Sequence, residues 1–291
     1  MTAEASLVIV CYDMTPQLRR TLISLAPAHQ HGCPTGRLEV IVVDNGSPVP
    51  PGEDDVAVPG LAVALHRFPA PTASPVAAAN FGLSLARAPV VGMWIDGARL
   101  ASPGLVDACL RAARLHPRPV VAPCNHHLGS APQWRSLREG YDAAAEARLL
   151  AGIGWPASAE RLFEIGVPEL GIDCLGPMIE SNSLFLTRAM WEELGGFDPA
   201  FASPGGGAAN HDVFVRALEA PGTQLIRIAG EATFHQVHGG VATNAENGAV
   251  QARIAIEYIQ LRRRKLRAVR QLGWVFDARA VEPVRKSVCG A

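Results

Sequence analysis

The sequence lacks the features that mark several large classes of protein. Its 26 basic and 27 acidic side chains give a net charge of -1, so no overall positive charge attracts nucleic acid. No apolar run reaches the roughly 18 residues that a membrane span requires, and the N-terminal stretch MTAEASLVIV lacks the basic flank and full apolar core of a signal peptide. These absences predict a soluble, cytoplasmic protein that does not bind nucleic acid.

Two kinds of cofactor or metal motif are also missing. The six cysteines form no CxxC pair and no spacing typical of a zinc site or a disulfide framework, so we expect reduced thiols that are mostly buried. The stretch CYDMTPQLRR, which follows the first apolar run, contains no glycine and no G-x-G-x-x-G. This excludes the usual phosphate loop of a dinucleotide-dependent oxidoreductase and leaves a nucleotidyltransferase only as an alternative.

Apolar residues make up 48% of the 291 residues, which is enough for a substantial core. Short apolar runs at residues 7–11, 38–43, 61–66, 90–95 and 120–123 alternate with helical patterns. Strands that alternate with helices are typical of an α/β fold with a mostly parallel sheet flanked by helices. The sequence therefore predicts a doubly wound α/β architecture.

The second half of the chain is less regular. The alternation is lost over residues 125–175, which we interpret as an insertion over the ligand edge of the sheet, and strand patterns return at 183–186, 224–228 and 232–237. We expect one domain over residues 1–245 and a C-terminal helical extension over 246–291. Within it, a basic amphipathic helix over about 249–272 has two interpretations: peripheral contact with an anionic membrane, or a solvated basic face.

Four polar features follow predicted strands or lie in loops on the ligand side: Asp44, Asp96, Asp212 with His211, and the pair His235 and His238. Carboxylates gathered at the carboxyl edge of a parallel sheet suit a divalent cation together with a diphosphate. Each aspartate also has a structural interpretation, as a turn cap at Asp44, an Asx turn or helix cap at Asp96, and a helix cap at Asp212. Because neighbours along a strand alternate in direction, the two histidines are expected on opposite faces, with at most one as a metal ligand.

Several motifs together resemble the family-2 type glycosyltransferases of the GT-A fold. SLVIVCYDM and EVIVVDNGSP resemble the first two strands of that family, and AAANFGLSLARAPVVGMWIDG resembles its Asn-x-Gly helix and the strand with the metal motif. LGGFDPAF, NHDVFVRAL and FHQVHGG are similar to its acceptor-side segments and its late histidine. The resemblance covers roughly residues 6–240 in the family order, so it is more specific than any single motif.

The resemblance implies an inverting sugar transfer from a nucleotide-diphosphate sugar, UDP-linked, to a hydroxyl of a small molecule, glycan or lipid-linked acceptor. Tyr12, Asp44 and Asn80 would belong to the donor site, and Asp96 with His238 would hold Mg²⁺ or Mn²⁺. Asp212 would be the general base that accepts the proton of the acceptor hydroxyl. The glycine loop at residues 205–207 would close over a substrate.

Two positions depart from the family pattern. The Asp-x-Asp motif reads Asp96-Gly97-Ala98, without its second carboxylate, and His211 stands where the family has Glu. Arg99 follows directly, and its planar donors suit a diphosphate, although a surface ion pair is an equal alternative. The missing carboxylate also leaves open a catalytically silent binding module.

Overall fold

The computed structural model describes residues 3–169, 176–239, 249–280 and 284–286 of the chain. Within these ranges, eleven strands join in one sheet. The strands are β1 (Ala5–Cys11), β2 (Leu38–Asp44), β3 (Ala62–Arg67), β4 (Val90–Trp94), β5 (Arg99–Ala101), β6 (Pro119–Leu128), β7 (Gly166–Pro168), β8 (Leu184–Thr187), β9 (Gln224–His235), β10 (Trp274–Asp277) and β11 (Val284–Lys286).

Helices cover both faces of this sheet. They are α1 (Thr15–Leu25), α2 (Glu53–Val56), α3 (Val76–Leu85), α4 (Leu105–Ala113), α5 (Gln133–Ser136), α6 (Ala143–Gly152), α7 (Arg188–Leu194), α8 (Ala209–Glu219) and α9 (Ala249–Arg262), with 3₁₀ turns at Leu137–Glu139, Ala159–Glu164 and Pro204–Gly206. In the described ranges, none of the helices has the length and apolar character needed to cross a membrane.

The strand order is β11-β10-β9-β6-β8-β4-β1-β2-β3, with β5 paired to β9 and β7 to β6. The group β3-β2-β1-β4 is parallel, and so is the group β6-β9-β10. Strand β8 lies antiparallel between β4 and β6 and joins the two groups. The predicted α/β fold with a mostly parallel sheet is therefore confirmed.

The alternation of side chains along β1 divides the core into two layers. Leu7 and Ile9 pack into one apolar cluster with residues of α1 and α4, whereas Val8 and Val10 pack into a second cluster with residues of α3, α7 and α8. All four of these side chains are at most 2% exposed. A strand buried on both faces reads as a continuous apolar run, which is why β1 was visible in the sequence.

The predicted insertion begins later than expected. Strand β6 continues to Leu128, so Asn125, His126 and His127 belong to the sheet. Their polar side chains hid the strand, because a buried strand is usually recognised by apolar residues. The segment after β6 packs Leu150, Leu162 and other apolar residues into a third cluster against Leu100 and Phe234.

The C-terminal segment differs from the predicted long helix. Helix α9 ends at Arg262, and Arg263 has a left-handed φ of 54°. A residue in the left-handed region does not continue an α-helix, so the backbone leaves the helix at Arg263. Strands β10 and β11 then extend the main sheet beside β9, while the domain boundary near residue 245 stays a prediction.

The cysteines follow the expected pattern in part. Cys11, Cys33 and Cys109 are free and buried. Cys124 is disulfide-bonded, so the expectation of a reduced thiol is wrong at that position. Spacing alone could not reveal this bond, because pairing depends on which chain segments meet in the fold.

Phe185 supports the junction between the two parallel groups. It lies on β8 opposite Gly92 and Val121 and is 1% exposed. A Cβ atom at Gly92 would lie 2.5 Å from the Phe185 ring, so the glycine makes room for that ring. The junction therefore depends on the packing of the Phe185 ring against Gly92, which has no side chain.

We predict that Phe185→Ala lowers the free energy of unfolding by about 3–5 kcal/mol, because it opens a cavity at this junction. Urea denaturation followed by circular dichroism measures the change. Val49→Ala, at a side chain that is 77% exposed, is the control and should change stability by less than about 0.5 kcal/mol. Equal stability of the two variants would contradict this role of Phe185.

Candidate active site

A cavity of about 930 Å³ opens along the edge of the sheet where β1, β2, β4, β6 and β9 end. Tyr12 follows β1, Asn45 follows β2, and Asp96 follows β4. The antiparallel strand β8 begins at the same edge, where Glu180 and Asn182 precede it. The carboxyl edge of a parallel sheet is the usual place for a ligand, and the sequence predicted it.

Asp96, His235 and His238 form a compact cluster in the wall of this cavity. The Asp96 Oδ2 atom lies 2.8 Å from His235 Nε2 and 3.3 Å from His238 Nε2, and the two Nε2 atoms are 3.1 Å apart. A cation with bonds of about 2.1 Å requires its ligand atoms roughly 3–4 Å apart. One carboxylate oxygen and two imidazole nitrogens therefore fit a divalent metal ion.

The expectation that the two histidines face opposite ways is wrong. Strand β9 ends at His235, so the alternation of side chains no longer applies to the residues that follow it. The segment after the strand turns His238 back toward Asp96, and the backbone N–H of Val237 donates a hydrogen bond of 2.6 Å to Glu146 on α6. A helix of the predicted insertion thus fixes the segment that carries His238.

The charges of the cluster depend on one another. Burial acts to raise the pKa of the Asp96 carboxyl, but His238, His235 and Arg99 outweigh it and hold that pKa well below its usual range. Burial lowers the pKa of His235 to about 4, whereas the Asp96 carboxylate raises the pKa of His238 against the effect of its burial. An ionised carboxylate and a neutral imidazole are the forms that bind metal.

Asp96 also satisfies its structural interpretation. Its Oδ1 atom accepts a hydrogen bond of 3.0 Å from the backbone N–H of Ala98, which forms an Asx turn. Its Oδ2 atom faces the two histidines and Arg99. The turn therefore orients the second oxygen toward the cavity, and the two interpretations do not compete.

Arg99 lies inside the cavity wall and is 4% exposed, so it is not in a surface ion pair. It donates to Asp96 Oδ2 at 3.2 Å and to Asn125 Oδ1 at 2.7 Å. Asn125 in turn donates to Glu169 at 2.8 Å. A chain of hydrogen bonds thus runs from Asp96 to the far wall of the cavity.

The fold places only some of the residues predicted for the sugar-donor site in the cavity wall. Tyr12 lines the cavity and is 53% exposed, as a residue that binds a ligand can be. Asp44 is 2% exposed and accepts hydrogen bonds from the Ser47 side chain and backbone, in agreement with its interpretation as a turn cap. The adjacent Asn45 faces the cavity instead.

Asn80 holds a loop in place. It donates to the Phe197 carbonyl and accepts from the Phe197 N–H, both at 2.8 Å. This pair of bonds fixes the segment at residues 195–198, the GGFD segment, against α3. Its side chain is fully used in the structure, and a role in the donor site stays a prediction.

Asp212 is fully buried and held by two arginines. Arg216 Nε lies 2.8 Å from its Oδ2 atom, and Arg262 donates to both of its oxygens and also to Asp198. Ala209 and Asn210, at the start of the same helix, line the cavity, but Asp212 lies on another side of α8. The fold does not bring Asp212 to the other predicted site residues, and its role as general base stays a prediction.

Sequence reasoning missed several residues of the cavity wall: Asn125, His127, Glu169, Glu180, Asn182 and Asn210. Burial raises the pKa of Glu180 to about 7, and the nearby Glu169 adds to this rise. These residues lie in segments without a recognisable motif. A polar pair within a buried strand, as at Asn125 and His127, is the one signal that the sequence offered.

The glycine loop borders the cavity at Gly205, Gly206 and Gly207. All three have φ in the left-handed region, at 72°, 84° and 53°. Because Gly207 has a left-handed φ, a side chain there would strain the backbone, and its Cβ atom would displace the end of the Glu257 side chain. Closure of this loop over a substrate stays a prediction.

The fold was compared with known proteins. No protein-family model and no curated protein matches the sequence. Among solved structures, S. aureus TarS 1–349 in complex with UDP-GlcNAc has a TM-score of 0.56 at 14% identity, and the match covers 89% of this chain and 67% of that chain. The mannosyltransferase PcManGT from Pyrobaculum calidifontis, in complex with GDP-Man and Mn²⁺, has a TM-score of 0.55 at 16% identity, with 92% and 66% covered.

The fold is that of the GT-A glycosyltransferases. At these identities the likeness shows the fold alone, and assignment to family 2 stays a prediction. The match covers 66% of the TarS 1–349 chain and 40% of the longer TarS chain. The ligands of TarS and PcManGT therefore support, and do not establish, what this chain binds.

We predict that Asp212→Asn lowers the free energy of unfolding by about 3 kcal/mol, because it leaves two partly buried guanidinium groups without their common carboxylate. Thermal and urea denaturation measure the loss. The control Glu192→Gln removes an exposed partner of Arg188 and should cost less than about 1 kcal/mol. An Asp212→Asn variant with the stability of the wild type would contradict this structural role.

Proposed function

We propose that the protein is an inverting glycosyltransferase that moves a sugar from a nucleotide-diphosphate donor, UDP-linked, to a hydroxyl of an acceptor. The observation that carries the proposal is the Asp96–His235–His238 cluster, set in a cavity of about 930 Å³ at the carboxyl edge of a GT-A sheet. Pockets of about 300–1,000 Å³ are typical for small ligands, so a nucleotide sugar fits this volume. Structures of the same fold contain UDP, UDP-GlcNAc or GDP-Man, which supports this class of donor.

Asp96, His235 and His238 would hold the divalent cation. Mg²⁺ prefers an all-oxygen shell, whereas two imidazole nitrogens are better suited to a softer ion, so the donor set favours Mn²⁺ over Mg²⁺. The two histidines replace the carboxylate that is missing at Ala98. A cation bound there would neutralise charge on the diphosphate leaving group.

Arg99 would add positive charge at the same place. Its NH1 and NH2 groups are used by Asn125 and Asp96, and its Nε atom is buried without a hydrogen-bond partner. A guanidinium so close to the cluster would attract a diphosphate and oppose a cation. Tyr12 and Asn45, which follow β1 and β2, border the part of the cavity that would receive the nucleoside.

The acceptor would enter beside the insertion. Pro132 and Trp134 line the cavity, and the Trp134 side chain is 54% exposed. An exposed aromatic ring at the rim of a cavity is typical of a surface that stacks on a sugar or another apolar face. A small molecule, a glycan and a lipid-linked sugar each carry a hydroxyl group that would serve as the acceptor.

Peripheral membrane contact through the C-terminal segment remains part of the proposal. Ile256 and Ile259 on α9 are 55% and 41% exposed, and the cations Arg263, Lys265, Arg267 and Arg270 that follow are exposed. Apolar and cationic side chains side by side suit an anionic lipid surface. This contact would bring the cavity close to a lipid-linked acceptor.

A catalytically silent binding module is the second candidate. Two observations favour it: the predicted base Asp212 is occupied by arginines, and Ala98 offers no second carboxylate. Such a module would bind UDP with Mn²⁺ but release no sugar. Turnover therefore separates it from the transferase.

We predict that UDP and Mn²⁺ together raise the melting temperature of the wild type, because a ligand that binds only the folded state stabilises it, by about 2.7 kcal/mol at 100 times Kd. Differential scanning fluorimetry measures this. His235→Ala and His238→Ala should each abolish the Mn²⁺-dependent part of the shift. His66→Ala, on β3 and outside the cavity lining, should retain it, and a shift unchanged in all three variants would exclude the metal site.

Arg99→Ala should have opposite effects on the two ligands. UDP binding should weaken about 10-fold or more, since a charged hydrogen bond contributes about 1.5–3 kcal/mol. Mn²⁺ binding should become tighter, because a positive charge beside the site is lost. Calorimetry with UDP and electron paramagnetic resonance with Mn²⁺ measure the two affinities. Arg99→Lys keeps the charge, so its affinities for UDP and Mn²⁺ should lie between those of the wild type and Arg99→Ala. Unchanged UDP affinity in both variants would exclude the diphosphate role of Arg99.

A further inference from the structure

The cavity needs a base that can reach an acceptor hydroxyl, and Asp212 does not face it. Among the described residues that line the cavity, the carboxylates are Asp13, Asp96, Glu169 and Glu180. Asp96 belongs to the metal cluster, and Asp13 lies beside Tyr12 at the end of β1, where the nucleoside would bind. Glu169 and Glu180 are the two carboxylates that remain.

Glu180 lies at the same edge of the sheet as Asp96. Strand β8 runs antiparallel to β4, and its first residue, Leu184, pairs with Met93. Just before β8, Ser183 accepts a hydrogen bond of 2.6 Å from the Trp94 indole. The segment that carries Glu180 therefore approaches β8 at the edge of the sheet where β4 ends, and Glu180 and Asp96 line the same cavity.

The strand order decides which side of the cluster Glu180 occupies. Across the edge, β1 with Tyr12 lies on one side of β4 with Asp96, and β8 lies on the other. A donor that places its nucleoside near Tyr12 and its diphosphate near Asp96 would direct its sugar toward β8. Glu180 is thus on the side from which an acceptor would approach the anomeric carbon.

The surroundings of Glu180 keep its carboxyl in place. Asn182 donates a hydrogen bond to it, and Asn182 accepts one of 3.2 Å from Asn210 on α8. Glu169, by contrast, is exposed and bound to Asn125. Glu180 is therefore positioned by amides, whereas Glu169 is part of the hydrogen-bond chain to Arg99.

We infer that Glu180 is the general base of the transfer, in place of the predicted Asp212. This rests on the proposed function. The acceptor O–H bond breaks and its proton passes to the Glu180 carboxylate, while the acceptor oxygen forms a bond to the anomeric carbon. The bond from that carbon to the diphosphate oxygen breaks, and its electron pair leaves with the diphosphate.

The acid–base properties of Glu180 agree with this role. Burial raises its pKa to about 7, Glu169 adds to the rise, and Arg99 and the hydrogen bond from Asn182 oppose it. A base is most effective when its pKa lies near the working pH. His127, His235, His238 and Asp96 are the other titratable groups of the nearby walls.

The test uses the full chain with Mn²⁺, UDP-GlcNAc or GDP-mannose, and water as the acceptor, with release of UDP or GDP as the readout. We expect Glu180→Gln to lower kcat by roughly 100-fold or more, with the donor KM and the melting temperature close to those of the wild type. Glu180→Asp should recover part of the rate. If the wild type and Glu180→Gln release UDP or GDP at the same rate, whatever that rate is, Glu180 is not the general base.

The pH profile adds a readout that a purely structural role would not change. The base must be ionised, so the rate should rise with pH through about 7 and then level off. Glu169→Gln removes a negative charge that raises the pKa of Glu180, so this rise should move to lower pH. A profile that does not move in Glu169→Gln would count against Glu180, while absence of UDP and GDP binding by the wild type would overturn the proposed function and the inference together.

Discussion

The Asp96 carboxylate and the three side chains that contact it determine how the edge of the sheet is built. A buried carboxylate is costly unless it is paired and hydrogen-bonded. Asp96 follows β4, whereas His235 and His238 come from the end of β9, and two strands, β8 and β6, lie between β4 and β9 in the sheet. The short strand β5 closes this gap, because it begins three residues after Asp96 and pairs Arg99 with His235. The Asp96–His235–His238 cluster thus depends on β5, a three-residue strand.

A second buried group of charges holds the opposite wall. Asp212 binds Arg216 and Arg262, Arg262 also binds Asp198, and Arg216 donates to the carbonyls of Leu194 and Gly196. These contacts tie α8, α9 and the GGFD segment together beneath the glycine loop. Removing the shared carboxylate would leave unpaired charges in the wall, so a loss of activity on mutation of Asp212 would not by itself identify a base. Stability and turnover must be measured on the same variant.

The sequence predicted the fold and the position of the site better than the roles of single residues. Continuous apolar runs showed β1, β2 and β4, because buried parallel strands have no polar face. It could not show β5, whose three residues make no periodic pattern, or the polar end of β6 at Asn125 to His127. The expectation that His235 and His238 face opposite ways was wrong, because strand alternation stops where β9 stops. Which face of α8 carries Asp212 depends on Arg262, fifty residues away, and no local rule reports such a contact.

Arg99 would connect the proposed donor side of the cavity with the proposed acceptor side. It lowers the pKa of Asp96, and it also opposes the rise in the pKa of Glu180. Through Asn125 it holds Glu169, whose charge acts on Glu180 in the opposite sense. A diphosphate that binds near Arg99 would offset part of its positive charge, and the carboxyl of Glu180 would then hold a proton more strongly. Donor binding and the pKa of the proposed base would therefore be coupled through the Arg99 guanidinium. This coupling gives a role to an arginine next to Ala98, the position where the resemblance implies a second carboxylate.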